Sequence, residues 1–188
     1  MKVKTLAGAI MALTFAATSA VGVAADKVVD QGKGVITFKG SIIDAPCSIA
    51  QESQYQTIEM NQVANVALRE GGMSNPTPFK IELRGCDMGA LKSATATFTG
   101  SPASNPDLLA LSGTAGGASL AIADNKGELI KLGVASPAQT LSDGDTFLSY
   151  SAYLQGDTVA GAGEEAGTFA EITPGDFETF ANFTLAYQ

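Results

Sequence analysis

The chain carries two cysteines, Cys47 and Cys86, and no histidine. Without an imidazole a Ser–His–Asp relay cannot be built, and the commonest metal ligand is missing. Two cysteines in an exported chain favour one disulfide over free thiols. Closing a loop of about 40 residues in this way stabilises a fold by about 4 kcal/mol on the chain-entropy account.

The carboxylates offer little more. Asp143 with Asp145, and Asp124 with Glu128, are spaced closely enough to suggest a cation site. Neither stretch has the ligand number of a calcium loop, and carboxylates in turns commonly accept hydrogen bonds from nearby backbone. A glycosidase would need two acids from distant positions to meet, which counting does not reveal. Glu164 and Glu165 sit in a glycine-rich stretch and read as solvated. Its glycines, Gly161, Gly163 and Gly167, miss the dinucleotide-binding spacing and follow no βα unit. The triplet Asn182-Phe183-Thr184 matches the glycosylation pattern, a short match read as chance. The expectation is a chain that is not an enzyme and takes no cofactor and no metal.

What frame holds these residues? At 188 residues the chain fits one domain, and with 45 % hydrophobic and 16 % charged residues it has the composition of a folding protein rather than a disordered one. Residues 1–25 stand apart: Lys2 and Lys4 precede an apolar run that ends in small residues, with Val23 and Ala25 before Asp26. This reads as a secretory signal peptide, since the run is rich in Ala, Gly and Thr and no basic stop-transfer cluster follows it. The mature chain is then expected to be exported. Losing the two lysines takes the net charge from −8 to −10. So acidic a surface repels phosphate backbones, and nucleic acid is not an expected partner.

Strand signals recur at short spacing. They are "YQTIEM", "FKIELRGC", "SATATFTG", "ASLAIAD", "ELIKLG", "TFLSYSAYLQG" and "GTFAEI", with a strand-like run through residues 34–39 and another, bent near Pro46, at 41–50. Asp124-Asn125-Lys126-Gly127 reads as a hairpin turn, and Ser142-Asp143-Gly144-Asp145 as a second. Residues 63–70 have room for one helical turn before Gly71, Gly72, Pro76 and Pro78 end it. Such punctuation predicts an antiparallel sandwich of the immunoglobulin type.

The final run, "ANFTLAYQ", alternates: Ala181, Phe183, Leu185 and Tyr187 share one face and Asn182, Thr184, Ala186 and Gln188 the other. A half-buried strand of this kind needs ladder partners on both sides, and the chain offers no later segment to supply one.

Both ends of the chain carry a resemblance. "GVITFKGSIIDAPCSI", residues 34–49, is similar to the amino-terminal stretch of pilins from chaperone–usher fimbriae of Gram-negative bacteria. "GDFETFANFTLAYQ" looks like their carboxyl-terminal motif, with its penultimate tyrosine, Tyr187, and a glycine fourteenth from the end, Gly175. Residues 151–156 resemble a run that recurs in the family. The resemblance covers the whole mature chain and lies nearest the rod-forming major subunits.

It implies an all-β, incomplete immunoglobulin-like β-sandwich completed by a donor strand from another chain. Residues 1–25 would be the signal peptide, 26–40 the donor-strand extension and 41–188 the pilin domain. The implied function is a structural subunit of a surface fimbria that polymerises head to tail and supports cell adhesion. Its implied partners are a periplasmic chaperone, an outer-membrane usher and identical subunits. The donor face would be Gly34, Ile36 and Phe38, with Val35, Thr37 and Lys39 opposite. The strand that receives the donor or the chaperone would involve Gly175, Phe183, Leu185 and Tyr187. Rival readings are a minor adaptor or tip subunit and, from another class, a monomeric secreted carbohydrate-binding β-sandwich.

Overall fold

The computed structural model describes residues 32–159 and 168–188. The signal peptide, the first residues of the extension and the glycine-rich stretch with Gly161, Gly163, Glu164, Glu165 and Gly167 lie outside the described residues. The chain divides into two units, Met1–Ile42 and Ile43–Gln188.

In the first unit, residues 32–42 form no strand or helix, and every one is exposed. The run at 34–39 has the alternation of a strand but no ladder partner among the described residues.

The second unit is built from antiparallel strands: β1 Ser48–Ile49, β2 Thr77–Cys86, β3 Ser93–Gly100, β4 Leu109–Ala110, β5 Ser112–Gly113, β6 Ala118–Ala123, β7 Leu129–Ile130, β8 Gln139–Thr140, β9 Gly144–Gly156, β10 Thr158–Val159, β11 Thr168–Phe169, β12 Phe177–Glu178 and β13 Ala181–Tyr187. One sheet runs β1-β2-β9-β6-β4, with β7 hairpinned onto β6. A second runs β13-β3-β8, and the short pairs β5–β12 and β10–β11 stand beside them.

Alternation decides which side chains go inside. On β2, Ile81 and Leu83 are fully buried. On β9, Leu148, Tyr150, Ala152 and Leu154 are buried, and on β3 Ala94, Ala96 and Phe98. These inward faces of the two sheets make one core. Phe79, Phe98 and Tyr150 meet at its centre, with Phe98 edge-on to Tyr150 at 5.1 Å between ring centroids. All six residues of β6 are buried, because its outer face, Ala121 and Ala123, lies under Leu108 and Tyr153.

Cys47 and Cys86 form the expected disulfide, joining the approach to β1 with the end of β2. The Asp124 turn is the expected hairpin between β6 and β7. Its Oδ1 accepts hydrogen bonds from the Lys126 and Glu128 amides, and Gly127 takes φ +86°.

Elsewhere the structure corrects the sequence reading. The turn at 142–145 is no hairpin: β8 pairs with β3 while β9 pairs with β2 and β6, so the turn carries the chain from one sheet to the other. Of the run at 41–50 only Ser48–Ile49 is a strand, paired with Arg84 and Leu83 at the edge of β2, and the Ala50 amide adds one further bond to the Glu82 carbonyl before the chain turns away. Residues 55–60 form none. Ile58 and Met60 are half-buried, as the alternation demands, but the backbone beside them has no partner strand among the described residues. The helical turn is a 3₁₀ segment, Asn65–Gly71, broken where Glu70 adopts φ +54°.

Candidate functional site

A sandwich with a filled core leaves no continuous opening between its layers. Here a groove of about 1800 Å³ enters the second unit between its sheets. Its floor is core: Phe79 of β2, Phe98 of β3, Leu120 and Ile122 of β6, and Ala152 and Leu154 of β9 all line it. The site is therefore a place where the hydrophobic interior is reached from outside.

One wall is residues 53–63, fixed at intervals to the edge of β2. Ser53 Oγ accepts a hydrogen bond from the Glu82 amide at 2.9 Å, and Gln56 Nε2 donates to the Lys80 carbonyl at 3.2 Å. Between these ties its own peptide groups find no ladder.

The other wall is residues 172–183, which include β12 and the start of β13. This wall is stitched to the chain around residue 115. Thr173 and Gly116 exchange backbone hydrogen bonds of 2.9 and 3.1 Å. The Thr114 amide donates to the Asp176 carbonyl at 2.9 Å, and the Asp176 amide donates to Thr114 Oγ1 at 3.0 Å. Gly175 sits inside this stitching. A Cβ there would stand 2.5 Å from Thr114 Oγ1 and 2.6 Å from the Ala115 nitrogen, closer than any side chain can come.

β13 pairs with β3 along all seven of its residues. Phe183 faces Phe98, Leu185 faces Ala96 and Tyr187 faces Ala94, large against small towards the chain end, and all three inward residues are half-buried against the core. Burial raises the Tyr187 phenol above its ordinary pKa. On its other side β13 has no strand neighbour among the described residues.

Of the residues singled out for this strand, Gly175 and Phe183 line the groove. Leu185 and Tyr187 pack on the core without lining it. Of the residues singled out in the extension, Ile36 and Phe38 are 78 % and 88 % exposed. A Cβ on Gly34 would meet nothing within 4 Å. The floor residues went unnoticed in the sequence, where nothing distinguishes them from other alternating core positions.

The remaining candidates serve the fold. Asp143 Oδ1 accepts from the Met88 amide at 2.9 Å and Asp145 Oδ1 from the Gly85 amide at 3.1 Å. The two carboxylates thus pin the end of β2 beside the disulfide. Asp124 is buried and engaged by its turn. Among the described residues no three His, Cys, Asp or Glu side chains converge as metal ligands.

The groove itself is apolar at its base and acidic at its mouth. Glu59 on one wall and Asp176 and Glu178 on the other line it and are exposed, and among the described residues no lysine or arginine joins them.

Residues 36–188 match the family profile described as "Fimbrial protein". Over 160 residues the chain is 54 % identical to the Fimbria A protein of Serratia marcescens, covering 85 % of this chain and 87 % of that protein. It is 44 % identical over 161 residues to the Major MR/P fimbria protein of Proteus mirabilis (strain HI4320), covering 85 % and 86 %. Among solved structures, a chaperone–usher pilus chain superposes with a TM-score of 0.70 at 33 % identity, covering 86 % of this chain and 99 % of that one. The crystal structure of the P pilus rod subunit PapA gives 0.64 at 32 %, covering 77 % and 100 %.

Proposed function

The chain belongs to the fimbrial protein family and is a major pilin, a structural subunit of chaperone–usher fimbriae; from that premise we propose that each copy lends its extension, residues 26–40, to the groove of the next, with Gly34, Ile36 and Phe38 on the inserted face. The fold is an immunoglobulin-like sandwich lacking one strand. The observation that carries the proposal is the groove, open beside the unpartnered edge of β13 and floored by core side chains.

A strand laid there satisfies two deficits together. Its backbone pairs with the free edge of β13, and its alternate side chains fill the opening over Phe98, Leu120 and Ile122. Chaperone–pilin donor-strand complementation is the known form of this strand addition. In residues 34–38, Ile36 and Phe38 supply apolar bulk on one face, and Gly34 on that face lets the backbone lie close where a side chain would clash. Each copy has one extension and one groove, so the contact is heterologous and its repetition gives an open filament. Removing a donor re-exposes the acceptor's interior, so release is slow and the fibre is kinetically stable.

An open core edge is an aggregation hazard before assembly. In our reading a periplasmic chaperone occupies β13 and the groove first, and an outer-membrane usher passes the subunit to the fibre. Residues 1–25 direct export, residues 26–40 are the extension, and residues 41–188 form the acceptor domain. The finished filament stands on the cell surface and supports adhesion.

Deleting residues 26–39 tests this reading. The shortened chain should still be recovered from the periplasm in a stoichiometric complex with a second protein, yet give no fibres by electron microscopy. Fibres from the deletion variant, or a stable lone monomer of the intact chain, would overturn it.

A further inference from the structure

The groove's mouth and the donor segment carry opposite charge. Glu59, Asp176 and Glu178 line the groove without a basic residue among them. Residues 32–39 contain two charged side chains, Lys33 and Lys39, and no acid. This pairing stands out in a chain whose net charge is −8, where two copies repel one another at long range.

The strand period sets where the lysines go. Lys33 and Lys39 fall on the face opposite Gly34, Ile36 and Phe38. When the apolar face enters the groove, both lysines stay on the outward side of the donor, in solvent like the exposed carboxylates of the two walls. Charges so placed act on encounter more than on the final complex, because water and salt still reach them.

Resting on the donor-strand reading above, we propose that the three carboxylates at the groove mouth select the donor segment of a second copy by its two lysines and set the rate at which it docks. The apolar floor then fixes how long the donor stays. Division of labour of this kind makes the on-rate, not the dissociation rate, sensitive to salt.

The test uses the full mature chain purified together with the protein that caps its groove. Peptides of residues 26–40, native or carrying Lys33→Glu and Lys39→Glu, are offered at about 0.02 M and about 0.5 M salt, and peptide incorporation is followed by native gel and mass spectrometry. The reversed peptide should be incorporated about tenfold more slowly at low salt, and the gap should close at high salt. With Glu59→Lys and Glu178→Lys in the acceptor, the preference should invert. All the altered side chains are exposed, and the peptide arm stands even if the acceptor variant is not recovered. Equal rates for the two peptides at both salt concentrations would overturn the electrostatic selection while leaving the donor reading intact. Failure of the native peptide to enter at all would overturn both.

Discussion

Phe183 of β13 stands directly opposite Phe98 of β3, and both rings line the groove. The pair makes the corner where the wall meets the floor, and Phe98 carries the contact inward to Phe79 and Tyr150. Whatever occupies the groove at this level packs on Phe183.

Phe183→Ala should therefore weaken assembled fibres more than its half-buried state in one chain suggests. A truncated, partly buried ring costs about 2 kcal/mol. The expected result is a clear drop in the denaturant midpoint for fibre dissociation. Thr184→Ala, on the exposed face of the same strand, should stay within about 0.5 kcal/mol of the parent. Equal midpoints for both variants would contradict the assignment of the wall.

Gly175→Ala places a methyl group against Thr114 and the Ala115 amide. One wall of the groove must shift or lose its stitching, at a cost of about 1–3 kcal/mol. Periplasmic yield should fall. Gly40→Ala, with nothing within 4 Å of the new methyl, should leave yield unchanged. A normal yield of the Gly175 variant would show that the wall tolerates displacement.

Gly34→Arg adds a large side chain where its own chain offers nothing to clash with. Any defect must then arise in a complex. Fibres should be absent by electron microscopy while the capped subunit accumulates normally, and Phe38→Asp should behave alike because it puts a carboxylate over an apolar floor. Normal fibres from both variants would show that the opposite face of the segment is inserted.

Stability should fall in alkali. Tyr150, Tyr153 and Tyr187 each have a phenol raised above the ordinary value of 10.0, chiefly by burial. Above pH 10 the unfolded chain releases these protons first, so the folded state binds more protons and stability declines as pH rises through the folded values. The contribution is complete below pH 10 and is lost above it. Urea midpoints between pH 8 and pH 11, read beside phenolate absorbance, should show the decline, and Tyr150→Phe should make it shallower. An unchanged slope in that variant would remove Tyr150 from the account.

The strands with long ladders were legible in the sequence. β2, β3, β6, β9 and β13 sit where the strand signals placed them, because each finds a long ladder partner and a buried face within the chain, β13 on its β3 side alone. Residues 55–60 show the limit of that reasoning. Ile58 and Met60 turn inward as a strand would, yet no strand among the described residues pairs with them. The pattern records burial, whereas pairing depends on distant residues that the local sequence does not reveal.

The site was legible from its edge and hidden at its base. Phe183 announced itself through period two. Gly175 was visible only as a motif glycine, since its reason lies about sixty residues earlier at Thr114 and Ala115. Leu120 and Leu154 read as ordinary core, and only the assembled sandwich reveals that they line an open groove. The turn at 142–145 misled for a related cause: local residues specify a reversal, while the sheet that receives the next strand is decided by distant partners.

The seven-residue ladder between β3 and β13 also has a mechanical side. Ladder bonds lie across the strand direction, so a pull along the strands loads all of them in shear at once, whereas a pull across them opens one bond after another. A segment seated along the free edge of β13 shares that geometry. Tension applied down a filament would be carried collectively by backbone bonds and wedged side chains, and would have to exceed their joint strength before any single subunit parted.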